Sequence, residues 1–166
     1  MKEQQSDKIT IMAVASFGGH WLQLKKILSP LEKQAHILYV GASDRLKKTW
    51  ITNIDFVVRD FSRKNPFVFF QTAFQVFRII KIIKPTYIIT TGAAPGLATI
   101  VTAKLFRNIK TLWIDSVANT NNLSSSGKIA RFIANKTASQ WEEVAERYKN
   151  VEYCGNPFKR VVNEKE

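Results

Sequence analysis

Short apolar runs rich in β-branched residues alternate along this chain with segments of helical periodicity. Consecutive parallel strands need a crossover connection between them, which is usually a helix. The alternation therefore predicts an α/β fold, in which a parallel sheet has helices on both faces. The predicted strands cover residues 8–15, 36–41, 55–59, 86–91, 111–115, 136–140 and 151–154.

The length of the chain limits the fold to one domain. Its 166 residues are enough for a sizeable core but not for a second full domain. A hydrophobic share of 45% and a charged share of 23% are typical of globular proteins, which argues against a disordered chain. We predict a single domain over residues 1–155, followed by a tail at residues 156–166.

The cysteine content and the missing motifs limit the chemistry and the compartment. Cys154 is the only cysteine, so no disulfide can form within the chain. The sequence has no signal peptide and neither a CxxC nor an HExxH pattern. These features predict a cytoplasmic protein that holds no metal and no cofactor.

A glycine-rich motif between the first predicted strand and the next helix is the most distinctive local feature. It reads Ser16-Phe17-Gly18-Gly19-His20-Trp21. Paired glycines allow a positive φ and a close approach of backbone N–H groups to a ligand, and a helix start favours an anion. We predict that this loop binds a phosphate or diphosphate and that His20 transfers a proton. The alternative is a tight turn in which His20 only caps or packs.

Two further loops with polar residues follow predicted strands. One contains Thr91-Gly92 and the other Asp115-Ser116. In open parallel sheets, ligands bind beyond the carboxyl ends of the strands. We therefore expect these loops to converge with the glycine-rich loop on one site.

The helical segment at residues 66–84 is more apolar than a helix with one sheet-facing side requires. Its lysine, arginine and glutamine residues argue against a membrane-spanning helix. We predict an amphipathic helix that lies in the plane of an anionic membrane surface, and the alternative is a core helix covered by its neighbours. The residues predicted to face the membrane are Phe67, Phe69, Phe70, Phe74, Phe77, Arg78 and Lys81.

Several motifs occur together in a recognisable order that covers nearly the whole chain. They are the loop at 16–24, Thr91-Gly92, Ile114-Asp115-Ser116, the stretch at 123–128, Gln140-Trp141 and the stretch at 153–158. With this set, the chain resembles the PssD-type polysaccharide biosynthesis proteins of bacteria. It is also similar to the membrane-recruiting subunit of the eukaryotic UDP-GlcNAc transferase that extends dolichyl-diphosphate-GlcNAc.

The resemblance implies one half of a split glycosyltransferase of the GT-B type. This chain would be the Rossmann-like, amino-terminal, acceptor-binding half, and a PssE-type partner would supply the half that binds the UDP-sugar. The expected acceptor is a polyprenyl-diphosphate-linked sugar in exopolysaccharide, capsule or lipid-linked oligosaccharide biosynthesis. In the similar one-chain enzyme MurG, a Gly-Asn-Pro stretch leads into the interdomain linker. Gly155-Asn156-Pro157 and the tail at 156–166 are therefore expected to correspond to that linker.

The resemblance also implies roles for individual residues. A sugar hydroxyl must lose its proton as it attacks the anomeric carbon, so a base must lie close to it. His20 is expected to be this base, because the histidine of the MurG-like loop stands at the same place. Asp115 is the second candidate, and its other possible roles are to orient His20 or to bind an acceptor hydroxyl. The residues expected to bind the acceptor and its diphosphate are Ser16, Gly18, Gly19, Thr91, Gly92, Ser116 and Asn119.

A membrane location follows from the same resemblance, because the lipid tail of the expected acceptor stays in the bilayer. The lead at residues 1–8 is short and polar and contains no membrane span. We therefore expect peripheral attachment at the cytoplasmic face of an anionic membrane.

Three other functions compete with this interpretation. The net charge of +12 favours polyanions, but the basic residues are spread out and no nucleic-acid-binding motif accompanies them, so we expect no nucleic acid partner. A dinucleotide-binding oxidoreductase would need GxGxxG, which the glycine-rich loop lacks. A non-catalytic enhancer or scaffold subunit of a partner glycosyltransferase stays open, because it would have the same sequence features.

Overall fold

The computed structural model describes residues 9–43, 54–61 and 66–158 of the chain. In chain order the strands are β1 Thr10–Ser16, β2 His36–Ser43, β3 Phe56–Arg59, β4 Tyr87–Thr90, β5 Lys110–Ile114, β6 Lys136–Ser139 and β7 Glu152–Tyr153. The α-helices are α1 Gly19–Leu28, α2 Pro66–Ile83, α3 Ala93–Ala103, α4 Ser125–Ile133 and α5 Glu142–Arg147.

The strands form one sheet in the order β3-β2-β1-β4-β5-β6-β7, and every neighbouring pair is parallel. Each strand lies within two residues of a predicted one, and the α/β prediction is confirmed. The predicted lead at 1–8 and the part of the tail at 159–166 lie outside the described residues. The domain boundary at residue 155 stays a prediction.

The alternation of side chains along β1 places helices on both faces of the sheet. Ile11, Ala13 and Ala15 pack in one core with Trp21 and Leu24 of α1. On the opposite face, the intervening residues pack in a second core with side chains of α2 and α3. Because both faces of β1 are covered, it is the most completely buried strand of the sheet.

The crevice that positions the candidate site lies between β1 and β4. From β1 the chain crosses to β2 on one side, and from β4 it crosses to β5 on the other side. The two connecting helices, α1 and α3, lie on opposite faces of the sheet. Their amino termini therefore flank an opening at the carboxyl ends of β1 and β4, which is where ligands of doubly wound sheets bind.

Helix α2 is attached to the edge strand β3 by polar side chains. The Gln75 Oε1 atom accepts a hydrogen bond from the Arg59 backbone N–H at 2.9 Å, and the Gln71 Oε1 atom accepts one from the Arg59 guanidinium at 2.8 Å. The Thr72 hydroxyl donates to the Arg59 carbonyl at 2.9 Å. These bonds give the glutamines a structural role and hold the amino-terminal half of α2 near the carboxyl end of β3.

Candidate functional site

Two reciprocal hydrogen bonds join the glycine-rich loop to the loop after β4. The His20 Nδ1–H donates to the Thr91 carbonyl at 2.8 Å, and the Thr91 hydroxyl donates to the His20 carbonyl at 2.8 Å. Because a carbonyl oxygen only accepts, this bond assigns the proton of the neutral ring to Nδ1. The Nε2 lone pair of His20 is then free to accept a proton from a ligand.

The helices α1 and α3 begin in the same unusual way. Their N-cap residues are Gly18, with φ of 106° and ψ of −140°, and Gly92, with φ of 116° and ψ of −152°. No side chain caps either helix, whereas the Ser124 hydroxyl accepts a hydrogen bond from the Gly127 N–H at the start of α4. The first N–H groups of α1 and α3 therefore need other partners, and a diphosphate in the crevice would provide them.

Ser16 adds an unpartnered hydroxyl below these two helix ends. It is the last residue of β1, it is 7% exposed, and its Oγ atom has no hydrogen-bond partner among the described residues. It follows Met12 and Val14 on the face of β1 that packs against α2 and α3. Since buried polar atoms are nearly always hydrogen-bonded, this hydroxyl is a candidate ligand contact.

The Gly92 position leaves just enough room for the His20 ring. A Cβ atom there would lie 3.3 Å from the His20 Cε1 atom and 3.5 Å from the Trp113 Cζ2 atom. The indole of Trp113 is completely buried, and its Nε1–H donates to the Asp115 Oδ1 atom at 3.0 Å. Trp113 therefore links the Gly92 position to Asp115. Sequence reasoning missed Trp113, whose only signal was its position inside the fifth predicted strand.

Substitution of Gly92 by alanine is expected to displace the His20 ring, whereas the same change at Gly18 should leave the ring in place. Both glycines have backbone angles that strain any other residue by about 1–3 kcal/mol. Only the Gly92 variant also pushes on the His20 ring, because a Cβ atom at Gly18 would meet nothing within 4 Å. Thermal melts and the NMR shifts of the His20 ring protons in the two variants would check this, and equal shifts of the ring would contradict it.

The Asp115 carboxylate is saturated with hydrogen bonds and is 2% exposed. Oδ1 accepts from the Trp113 indole at 3.0 Å and from the Ser124 hydroxyl at 2.6 Å. Oδ2 accepts from the Ser124 N–H at 2.8 Å and from the Asn119 amide at 3.1 Å. Orienting His20, one of the three roles considered for Asp115, would need a hydrogen bond to the His20 ring, which bonds to the Thr91 carbonyl instead. The geometry favours a structural role for Asp115 over that of a base.

The 115–124 loop is held from outside by three long side chains. The Gln140 amide donates to the Asp115 carbonyl and the Trp141 indole to the Val117 carbonyl, both at 2.8 Å. The Arg147 guanidinium donates to the Asn121 carbonyl at 2.7 Å. Sequence reasoning gave these side chains no such role, because each contact joins residues about 25 positions apart.

The predicted acceptor-binding residues lie in two adjacent groups. The first group surrounds the crevice, and the second lies in the 115–124 loop after the neighbouring strand β5. Ser116 and Asn119 of the second group are half-buried, and the Asn119 side chain bonds to Asp115. The residues of the first group are Ser16, Gly18, Gly19, Thr91 and Gly92, and the candidate base His20 lies among them.

The exposed side of α2 is aromatic in its first half and basic in its second. Phe67, Phe70 and Phe74 are 79%, 70% and 62% exposed. Phe69 and Phe77 are half-buried, so the prediction that they face the membrane was wrong in part: their rings pack 5.9 Å from Phe61 and 5.3 Å from Phe106. Arg78 and Lys81 are exposed, and their contact with a membrane stays a prediction. Among the described helices, none is both long and apolar enough to cross a membrane.

Comparison with solved structures defines the class of the fold. The chain superposes on MurG of Acinetobacter baumannii with a TM-score of 0.70 and 16% identity, over 87% of this chain and 45% of that one. It superposes on the UDP-GlcNAc 2-epimerase of Methanocaldococcus jannaschii with a TM-score of 0.71 and 13% identity, over 89% and 46% of the two chains. The chain thus spans less than half of either protein, and its fold is the Rossmann-like half of a GT-B protein.

Sequence comparison then identifies the family. Residues 57–156 match the family described as "Oligosaccharide biosynthesis protein Alg14 like", and the chain belongs to this family. The UDP-N-acetylglucosamine transferase subunit ALG14 of Yarrowia lipolytica is 26% identical over 87% of this chain and 79% of that protein. The UDP-N-acetylglucosamine–N-acetylmuramyl-(pentapeptide) pyrophosphoryl-undecaprenol N-acetylglucosamine transferase of Prochlorococcus marinus is 30% identical over 58% of this chain and 29% of that protein. The resemblance drawn from the motifs is confirmed.

Proposed function

We propose that this chain is the acceptor-binding, membrane-associated subunit of a split glycosyltransferase. It would act with a PssE-type partner to transfer a sugar from a UDP-sugar to a polyprenyl-diphosphate-linked sugar. The product would enter exopolysaccharide, capsule or lipid-linked oligosaccharide biosynthesis. The observation that carries the proposal is the crevice between β1 and β4, where His20 stands between two uncapped helix starts.

The crevice can bind a diphosphate with backbone groups alone. The helices α1 and α3 direct their positive ends to it from opposite faces of the sheet, and each end is equivalent to about half a positive charge. The positive φ at Gly18 and Gly92 allows a phosphate to approach the backbone closely. The spare hydroxyl of Ser16 is a further donor near the same place.

The chemistry proposed for His20 follows from its hydrogen bond to Thr91. With Nδ1–H held by the Thr91 carbonyl, Nε2 can take the proton of the acceptor hydroxyl as that oxygen attacks the anomeric carbon of the donor sugar. The new glycosidic bond forms as the bond to UDP breaks, and UDP leaves with both bonding electrons. The Thr91 carbonyl keeps the ring in the required tautomer and stabilises the positive charge that the ring gains.

The aromatic side of α2 fits an acceptor that is anchored in a membrane. The helix runs opposite to the strands, so its first turns lie at the same edge of the sheet as the crevice. Phe67, Phe70 and Phe74 therefore project from the end of α2 that is nearer to the diphosphate site. In this arrangement the phenylalanines enter the headgroup region, and the lipid diphosphate reaches the crevice without leaving the bilayer.

Replacement of Phe67, Phe70 and Phe74 by serine is expected to weaken vesicle binding about tenfold per residue, because each ring buries apolar surface worth about 1.5 kcal/mol or more. Leu22→Ser is the matched control, since Leu22 is 68% exposed but lies on the α1 face of the sheet. Sedimentation with anionic vesicles measures the effect. Full binding by the triple variant, or an equal loss in the control, would contradict the membrane assignment.

Reconstitution with the candidate partner tests the function as a whole. Transfer from a panel of UDP-sugars to a polyprenyl-diphosphate-sugar is measured in detergent for this chain, for the partner and for the purified pair. Product from the pair alone is the expected result. Product from the partner alone, merely increased by this chain, would establish an enhancer subunit instead. Failure of the two chains to form a complex or a product would contradict the proposal.

A further inference from the structure

A long segment of this chain carries positive charge without any acidic residue. Residues 61–114 contain eight Lys or Arg and no Asp or Glu. The described part of this segment forms α2, β4, α3 and β5, and its two helices pack side by side on one face of the sheet. The crevice does not account for this charge, because the lysines and arginines in the described part of the segment lie in the second half of α2, just after α2 and α3, or at the start of β5.

A groove at the amino edge of the sheet gathers part of this charge. It has a volume of about 520 Å³ and lies between the end of α2 and the end of α3, on the opposite edge from the crevice. Its floor is apolar and includes Ile80, Phe106 and Ile109, and Leu105 at its side is 72% exposed. The basic residues that line it are Lys81, Lys84 and Arg107.

The charges in the groove are not neutralised by the protein. None of the ion pairs in the part of the chain that the structure describes involves Lys81, Lys84 or Arg107. The ends of α2 and α3 each contribute about half a negative charge, which together offset only one of the three cations. An anion is therefore the complementary occupant, and the apolar floor favours one that also carries hydrocarbon.

The backbone of Lys84, at the edge of the groove, has a conformation that favours glycine. Lys84 ends α2 with a φ of 49°, where glycine is the usual residue, and its N–H donates to the Ile80 carbonyl at 2.8 Å. A side chain in this conformation is unfavourable relative to glycine. Lysine here stabilises the helix end less well than glycine would, but it places an ammonium group at the groove.

We propose that this groove binds the headgroup phosphate and upper acyl chain of an anionic phospholipid of the bilayer. The phosphate would lie between Lys84 and Arg107, and the chain would lie on the floor beside Leu105. Since α2 is about 27 Å long, the groove and the exposed phenylalanines form two separate attachment points along one helix. Two attachment points fix the direction in which α2 lies on the membrane surface, whereas the phenylalanines alone would leave the domain free to rotate about them.

Paired variants test the site in the whole chain. Lys84→Gln/Arg107→Gln is compared with Lys33→Gln/Lys149→Gln, which removes the same charge from exposed positions outside the groove. Sedimentation uses vesicles of phosphatidylcholine mixed with phosphatidylglycerol. We expect about a fivefold loss of binding per groove residue, hence about 25-fold for the pair, and less than about threefold for the control. Equal losses in the two double variants would overturn the proposal in favour of net charge alone.

A soluble short-chain lipid tests binding in the groove without a bilayer. Backbone amide shifts of residues 105–109 are followed by NMR with dihexanoylphosphatidylglycerol, dihexanoylphosphatidylcholine and inorganic phosphate at equal concentration. We expect shifts with the first that the groove variant abolishes, and much smaller shifts with the other two. Equal shifts with inorganic phosphate, or none with the anionic lipid, would overturn the proposal. The inference rests on the proposed membrane association for its setting, but this measurement requires neither vesicle binding nor sugar transfer, so the two can fail separately.

Discussion

Replacement of His20 by asparagine is expected to lower sugar transfer by the reconstituted pair by about 10²–10⁴-fold, the usual contribution of a general base. The asparagine amide can take the place of Nδ1 and donate to the Thr91 carbonyl, so the link between the two loops is kept. The group that is lost is Nε2, which the proposal makes the proton acceptor. Initial rates at saturating acceptor and donor measure the loss, and kcat rather than KM should carry it.

The second histidine of the chain provides a control for this experiment. His36 is exposed and begins β2 at the amino edge of the sheet, far from the crevice. The variant His36→Asn should transfer sugar at the wild-type rate. Thermal melts and co-purification with the partner show whether each variant folds and assembles. Wild-type kcat for a folded, assembled His20→Asn protein would rule out His20 as the base.

Replacement of Asp115 by asparagine is expected to destabilise the fold by about 3 kcal/mol. The carboxylate accepts four hydrogen bonds in a buried position, and an amide can accept only on its oxygen. Two of the four donors would therefore lose their acceptor. For a domain of this size, the loss corresponds to a fall in Tm of roughly 6–12 °C.

A variant of the neighbouring serine is the control that distinguishes the loss of the Asp115 hydrogen bonds from a general sensitivity of the loop to substitution. Ser116 makes one long bond, in which its hydroxyl accepts from the Ala118 N–H at 3.3 Å, so Ser116→Ala should change stability by less than about 1 kcal/mol. Melting curves followed by circular dichroism give both values. If Asp115→Asn melts like the wild type but transfers no sugar, the structural role is wrong and Asp115 returns as a catalytic candidate.

The fold could be predicted because its signals are local. The continuous apolar run of β1 and the β-branched runs that became β2, β4 and β5 reflect burial on both faces of a parallel sheet, and each signal lies within one element. The glycine-rich loop was equally local, since Gly18 takes a positive φ and caps α1 as its sequence predicted. Because loops meet at the carboxyl ends of parallel strands, the glycine-rich loop was expected to lie near the loop after β4. In the structure His20 of the first loop bonds to Thr91 of the second.

The details that failed depend on contacts between distant parts of the chain. Helical periodicity placed Phe69 and Phe77 on an apolar surface, but it cannot show that Phe61 and Phe106 cover them. The partner of the His20 ring is a backbone carbonyl 71 residues away, and any residue type supplies one. For Asp115 the bonded residues all lie within ten positions, but sequence spacing does not show that the carboxylate turns towards them.

On the proposed function, the external bonds of the 115–124 loop would affect the thermodynamics of acceptor binding. Because Gln140, Trp141 and Arg147 hold this loop in the free protein, its conformational entropy is lost during folding rather than when the acceptor arrives. A preorganised surface binds without the ordering penalty that a mobile loop would add. Any closure around the bound acceptor must then come from the opposite side of the crevice or from the partner subunit.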